Sequence, residues 1–534
     1  MTAARRDNSA PRGRGGAVAA ASGILASRVF GLVRQRVMSH FLGVGDAADV
    51  ISAALRIPNV LQNLLGEGVL SASFVPVYAR LRAEGREDDA TRLAQVVFAG
   101  LSAACGVLVG LGILGAPWLV ATIAGGFAPE KRAFAVFLVR ILFPGVGLLV
   151  MSAWCLGVLN AHRKFLLAYA SPIAWNLAII GALLWRGPRT DPDGAATLVA
   201  AGAAAGGLLQ FAVQVPGVLR AVPGIVRRSS LAPVPEVRRV VRNFGPVLLG
   251  RGAVQLSGWV DLLIATYVAT AGAAAVLMYA QTIALLPVSV FGMSISASEL
   301  TEMSHHAESD VANAIRARLG SSLRAVAYFV VPSSAALLFL GDAAAGAVLQ
   351  TGRFARADTV WVWAVLAGSA IGLLAGTMGR LYNSAWYALH DTRTPVRIAL
   401  IRIAITGTLG AVAALALPSW LGIEARWGVA GLTATAGVAA WIEYALLRRA
   451  LSARIGPTGL PPRALLPLWA AAVIAAAAGF GVKLATGGAG PLLSGVAVFL
   501  VFGFAYWALT LLLRVPEAHA VLRRLAGRVS GTGV

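Results

Sequence analysis

Long apolar runs dominate the chain, and short polar or basic intervals separate them. A helix needs about 20 residues to cross the hydrocarbon core of a bilayer. Fourteen stretches approach or exceed that length: 17–40, 47–78, 93–121, 134–160, 165–185, 194–219, 243–269, 273–298, 325–341, 359–387, 398–417, 428–447, 464–482 and 491–513. The runs are continuous rather than alternating, which argues against a β-barrel, whose strands alternate lipid-facing and lumen-facing residues. The pattern predicts an all-α polytopic membrane protein.

The polar intervals give a direction. Of the 45 Lys and Arg residues, 29 fall in the two tails and in every second loop; only eight fall in the intervening loops, and eight lie inside the apolar stretches. Basic residues hold loops on the cytoplasmic side, so both termini are expected in the cytoplasm. The first 16 residues are polar and carry Arg5, Arg6, Arg12 and Arg14. They do not read as a cleaved signal, because the apolar segment that follows is too long and itself contains arginines.

Composition removes other classes. Only 13% of the 534 residues are charged and 58% are hydrophobic, against about 25% charged in a soluble domain. A net charge of +22 would point a soluble protein toward nucleic acid; here its first meaning is topological, and no nucleic-acid partner is expected. Cys105 and Cys155 both fall in spans and read as small packing residues. The six histidines show no metal-ligand spacing. No phosphate-binding loop is present, so ATP is not the direct energy source, and neither a catalytic residue nor a cofactor is expected. The glycine run from Gly110 to Gly115 sits inside span 3 with no strand before it and is not a dinucleotide site.

The chain also resembles itself at an offset of about 226 residues. Ala47–Val50 aligns with Ala273–Val276, Leu70–Ser73 with Ile295–Ser298, Arg92-Leu93 with Arg318-Leu319, and Asn160-Ala161-His162 with Tyr387-Ala388-Leu389. Six spans separate the copies, so both halves face the same way, a parallel repeat. The expected architecture is two six-helix lobes around a central cavity plus two C-terminal helices. Its parts are an N-terminal tail (1–16), a first lobe (17–220), a basic cytoplasmic linker (221–242), a second lobe (243–450), spans 13 and 14 (464–513) and a C-terminal tail (514–534). Pro58 and Pro76 in span 2 and Pro287 in span 8 each remove a helix hydrogen bond. Gly368, Gly372 and Gly376 form a four-residue stripe on span 10, the spacing of a close-packed helix face.

Eight arginines lie in spans: Arg28, Arg34, Arg36, Arg56, Arg140, Arg251, Arg380 and Arg402. Arg380 and Arg402 are near cytoplasmic ends, where long side chains snorkel to water; Arg34 and Arg36 are near the outer end of span 1. Arg28, Arg56 and Arg251 are expected near mid-depth, where an unpaired arginine costs at least about 2.5–3.5 kcal/mol. Guanidinium grips phosphate with two parallel donors, so these residues suit an anionic ligand. The alternative is that Arg28 and Arg56 pair with Glu67 or with backbone carbonyls to hold helices together. By the repeat, Arg28 and Arg251 take near-equivalent places in the two lobes. Asp49 lies near the outer end of span 2 and Asp261 in span 7; Asp261 reads equally as a Na⁺ or H⁺ site and as an ion-pair partner of an arginine.

Ordered motifs carry a family resemblance: Ser27-Arg28-Val29-Phe30-Gly31-Leu32-Val33-Arg34, then Asp49, Arg56-Ile57-Pro58-Asn59, Glu67-Gly68 and Ser73-Phe74-Val75-Pro76-Val77-Tyr78, and later Leu286-Pro287, Phe291-Gly292 and Asp391-Thr392-Arg393-Thr394-Pro395. Together they resemble the MurJ/MviN family of lipid II flippases, in the superfamily that also holds MATE exporters. The match runs from about residue 17 to 450. The resemblance implies a 14-helix alternating-access transporter of the bacterial cytoplasmic (inner) membrane. Its cargo would be undecaprenyl-pyrophosphate-linked disaccharide pentapeptide, and cell-wall synthesis proteins would be candidate partners.

By motif, Arg28 and Arg34 correspond to the family's span-1 cavity arginines, and Asp49 and Glu67 to its acidic span-2 positions. Arg56 and Arg251 complete the expected pyrophosphate set. Asp261, Na⁺ or H⁺, or the membrane potential would reset the cycle, and spans 13 and 14 would carry the lipid tail. Two departures stand out: Gln62-Asn63 in span 2 and Gln281-Thr282 in span 8 replace arginines that many members carry. They leave open a flippase for another polyprenyl-linked oligosaccharide. A cation-coupled exporter of small molecules and a membrane scaffold fit the arginine-rich spans and short tails less well.

Overall fold

The computed structural model describes residues 12–65, 70, 73–226, 235–287, 311–389 and 391–529. Glu67, Gly68, Phe291, Gly292 and the end of expected span 8 lie outside the described residues, as does the side chain of Arg251. Every described element is helical. This follows from the solvent, since in hydrocarbon each backbone N–H must find its acceptor within its own segment.

The chain divides into two compact units, Met1–Gln255 and Leu256–Val534. In the first run α1 (Arg12–Leu42), α2 (Asp46–Leu65), α3 (Val75–Ala83), α4 (Glu87–Leu114), α5 (Ala116–Ile123), α6 (Pro129–Ala161), α7 (Phe165–Ala170), α8 (Pro172–Arg186) and α9 (Pro192–Ala221). Helix α10 (Pro235–Tyr267) carries the chain into the second unit. There follow α11 (Ala273–Pro287), α12 (Val311–Leu349), α13 (Arg356–Ala388), α14 (Arg393–Ala411), α15 (Leu417–Trp420), α16 (Gly428–Ile455), α17 (Pro462–Ala485), α18 (Pro491–Leu512) and α19 (Pro516–Val529).

Ten helices among the described residues are long and apolar enough to cross a membrane, and they fall on expected spans 3–6 and 9–14. Spans 1, 2 and 7 correspond to α1, α2 and α10, which carry the mid-helix charges, and span 8 is described only to Pro287. Three expectations shift. Expected span 2 is described as α2, to Leu65, and α3, from Val75, with Pro76 in the first turn of α3. Expected span 3 ends at Leu114, where Gly115 caps it, and Pro117 opens the short α5. The segment 221–242 is a 3₁₀ turn at Pro223–Val226 followed, from Pro235, by the first two turns of α10, so much of it is helix.

Within the first unit α6 is the central helix, packed by α2, α4 and α9. Small residues let α6 and α9 approach: a Cβ on Gly145 would lie 2.6 Å from Ala204 Cα, and one on Gly207 would lie 2.5 Å from Gly145 O. One to two turns further along the same contact, buried Gln210 donates to Ser152 Oγ (3.0 Å), Ser152 donates to Gln214 Oε1 (3.1 Å), and Gln214 donates to Ser171. In the second unit α13 is central, packed by α12 and α16.

Gly372, 227 residues after Gly145, repeats that contact: its Cβ would lie 2.5 Å from Gly437 Cα. Helices α2 and α11, and α6 and α13, also start 227 residues apart, so the repeat seen in the sequence extends to element order and to contacts. Of the predicted stripe, Gly368 and Gly372 pack closely against α16, whereas Gly376 meets nothing within 4 Å. Cys105 and Cys155 are buried free thiols that fill the first unit's core.

Helices α17 and α18 pack on α12 through fully buried Ala471, Ala472 and Ala475 and through Tyr506, whose hydroxyl donates to Tyr328 O at 2.8 Å. Their opposite faces expose Ile474, Leu484, Leu500 and Phe504.

Candidate substrate-binding residues

Helix α1 uses two faces differently. One packs on α7 and α8: Gly23 sits against Tyr169, and Gln35 and Met38 are buried. The other exposes Leu25, Arg28, Val29 and Val33. Arg28 is 14 residues from Leu42, about 21 Å along the helix, and among the described residues no carboxylate pairs with it.

Arg34 is half-buried, its guanidinium 4.7 Å from the centre of the Trp175 ring on α8. The ring is fixed because Trp175 Nε1 donates to Ala203 O at 3.0 Å. Such a cation–π contact is worth about 0.5–2 kcal/mol, and it leaves the fork of donors without an anion; Arg34 Nε has no hydrogen-bond partner among the described residues. Arg56 is half-buried ten residues into α2. The expected pairing of Arg28 with Glu67 and the partner of Arg251 fall on positions outside the description.

Asp49 is 1% exposed and accepts from Lys131 Nζ at 2.6 Å. Lys131 also donates to Asp46 (2.8 Å) and lies over the Phe127 ring (4.4 Å). The first turns of α2 and α6 are thus tied by one ammonium between two carboxylates, and Asp49 is neutralised by it. Hydropathy alone does not single out Lys131, because it falls in the short polar interval before expected span 4, although the structure places it in the first turn of α6. Its signal was present: two acids in the first turn of a helix attract a cation, beyond their favourable place at the helix dipole.

In the second unit Arg402 and Lys483 find carboxylates. Arg402, expected to snorkel, instead donates to Glu443 Oε2 at 2.8 Å. Glu443 is only 8% exposed, so pairing satisfies a buried carboxylate that snorkelling would strand. Lys483 on α17 pairs with Asp342 on α12. Neither Glu443 nor Asp342 was among the acids the sequence reading weighed, since partners distant in the chain leave no local pattern. Arg380 is exposed. Asp261 is half-buried at the level where α10 meets α14: a Cβ on Gly407 would lie 3.6 Å from Val260.

Two loop motifs resolve into structural devices. Asp391 accepts from the backbone N–H of Arg393 (2.9 Å) and Thr394 (3.0 Å) and from the Thr394 hydroxyl (2.9 Å), which starts α14. The bonds from Thr394 hold its carboxyl below the usual carboxylate range. His162, after α6, shares a 2.9 Å hydrogen bond with Tyr78 of α3, and Arg82 donates to Ala161 O at 2.9 Å. Burial first, and then the Arg82 charge, push the His162 pKa down.

Residues 38–503 match the model of the family described as lipid II flippase MurJ. A lipid II flippase MurJ from Burkholderia cenocepacia is 30% identical over 431 residues, 79% of this chain and 80% of that one. A probable lipid II flippase MurJ from Haemophilus influenzae is 30% identical over 445 residues, 80% and 84% of the two chains. Among solved structures, lipid II flippase MurJ in an inward closed conformation superposes with a TM-score of 0.75 at 20% identity, covering 93% of this chain and 99% of that chain. An inward-facing multidrug resistance MATE family transporter of the MOP superfamily superposes with a TM-score of 0.63 at 14% identity, covering 82% and 98%. The helical order, the motif-bearing α1 and α2, and a family match across most of the chain together make this a multi-pass membrane transporter of the lipid II flippase MurJ family.

Proposed function

We propose that the protein moves lipid II, the undecaprenyl-pyrophosphate-linked peptidoglycan precursor, from the inner to the outer leaflet of the bacterial inner membrane by alternating access. Family membership supports the cargo. The observation that carries the chemistry is α1 itself: Arg28 on an open face and Arg34 against Trp175, neither tied to a carboxylate among the described residues. A pyrophosphate supplies the missing counter-charge and accepts the forked donors. In this reading Arg28 and Arg34 take the pyrophosphate with Arg56 and Arg251. Asp49 and Glu67 serve as acidic gating positions, and both termini are cytoplasmic. The apolar outer faces of α17 and α18 receive the polyprenyl tail. Asp261, through a cation, or the membrane potential resets the transporter.

Depletion of the native flippase in a tractable bacterium tests this. Expression of the present protein should restore growth and outward lipid II; an inserted, expressed protein that restores neither sinks the proposal. A second reading, a flippase for another polyprenyl-linked oligosaccharide, is motivated by Gln62 and Thr282, where the family resemblance implies arginine. Bound-lipid mass spectra of the purified protein distinguish the two cargoes by mass.

A further inference from the structure

A cavity of about 540 Å³ opens beside the last turns of α16, within the second unit. That size is typical of small-molecule sites. Its two ends differ in chemistry. At one end Trp441 is pinned by its Nε1 to Ile371 O (2.8 Å). Its ring meets Tyr444 edge-on at 5.8 Å, and Tyr444 meets Tyr382 at 5.5 Å. Ala445 leaves the space beside this aromatic wall open.

At the other end lie Arg448 and Arg449. Arg448 is pre-set, because its Nε donates to Thr458 O at 2.9 Å and its guanidinium also bonds the Tyr444 hydroxyl, while the side chain stays exposed. Gly459 makes this possible: φ is +113°, and a Cβ there would come within 2.5 Å of Arg448 Nε. Ser452 and Thr458 hydroxyls, 2.7 Å apart, close that end. Among the described residues no carboxylate lines the cavity. The acids nearest in sequence or fold are engaged elsewhere, Glu443 with Arg402 and Asp391 with Arg454.

Depth decides what fits. Arg448 is seven residues from the end of α16 and Trp441 is fourteen, about 10 and 21 Å along the helix. Two arginines at headgroup level with an indole one to two turns deeper form an amphipathic slot, polar outward and apolar inward. The loops at this end are the basic ones, the side where anionic lipid attracts Lys and Arg.

We propose that this slot binds one anionic glycerophospholipid of the adjoining leaflet, its phosphate held by Arg448 and Arg449 and the start of one acyl chain lying against Trp441 and Ala445. The site is separate from the α1 arginines and does not depend on which lipid-linked cargo the protein carries. A soluble phosphate ester would satisfy the arginines but would leave the aromatic wall unused.

The test uses the purified full-length protein in mixed micelles, with native mass spectrometry after exchange against phosphatidylglycerol or phosphatidylcholine of identical acyl chains. The wild type should retain phosphatidylglycerol preferentially. Each arginine near the headgroups is worth about fivefold, so R448Q/R449Q should lose roughly tenfold or more of that preference. A445W fills the apolar end with both arginines intact and should lower retention of the same lipid. Melting curves matched to wild type establish that both variants are folded. Glycerol phosphate in millimolar excess should not displace the lipid. Equal retention of the two lipids by wild type overturns the proposal. So does an unchanged preference in the folded double variant, or displacement by glycerol phosphate, which would make the ligand a soluble one.

Discussion

The two units place cations in their spans and deal with them differently. In the second, Arg402 meets Glu443 and Lys483 meets Asp342, each pair joining two helices, while Arg380 is exposed. In the first, Lys131 is likewise claimed by Asp46 and Asp49, but Arg28 and Arg34 meet an open face and an indole ring. The difference separates architecture from function. A cation with its own carboxylate offers little to an anion that comes and goes, whereas one held by packing or by a π face keeps its donors for a mobile partner.

The largest expected effect breaks that contrast directly. Arg28→Ala and Arg34→Ala should each abolish rescue of a flippase-depleted strain while the protein remains at wild-type level in the membrane. Normal growth with Arg28→Ala would remove that residue from the mechanism. Next comes Glu443→Ala, which strands Arg402 and should cost about 2 kcal/mol, below the cost of breaking a fully buried pair because Arg402 is one-third exposed. Thermal unfolding of the purified protein measures it. A double Arg402→Met/Glu443→Leu variant should recover most of the loss and retain rescue, since this pair is structural. If rescue is lost in the folded double variant, the two units are not divided as argued.

Smaller effects probe the repeated helix contact. Gly372→Ala pushes a methyl against Gly437 and should cost about 1–3 kcal/mol, whereas Gly376→Ala, facing open space, should stay within about 0.5 kcal/mol. Equal melting shifts for the two would contradict the packing. The smallest effect concerns pH. The folded His162 pKa lies below its unfolded value, so its contribution to stability is fully present above about pH 6.5 and is lost as pH falls through the depressed folded value. His162→Gln should flatten that slope of melting temperature between about pH 7 and 5; a slope unchanged in the variant would show that another group titrates there.

Much of this was legible in the chain. Span positions follow from apolar length alone, and ten described helices fall where it puts them. The repeat was visible because two lobes built alike need small residues at like positions, and Gly145 and Gly372 carry that need into the structure. Arg28 and Arg34 stood out because an arginine in hydrocarbon demands a reason. What failed were statements about partners. Arg402 was assigned to water because its acid, Glu443, is 41 residues away on another helix. Four-residue spacing puts Gly376 on the face of Gly368 and Gly372, yet nothing lies within 4 Å of it, because spacing sets the face of a helix but not which positions along it a neighbour fills.

The sequence by itself therefore determined a multi-pass helical protein, the places of ten of its long apolar helices, the order in which the elements repeat, and which charges stand out among them. Hydropathy and charge bias act along the chain, residue by residue, against the bilayer as solvent. Only the tertiary structure decided which of those charges are already answered. A carboxylate within 3 Å of Arg402, an indole under Arg34 and an open face around Arg28 arise from helices far apart in the chain meeting at one depth. No local pattern encodes that meeting.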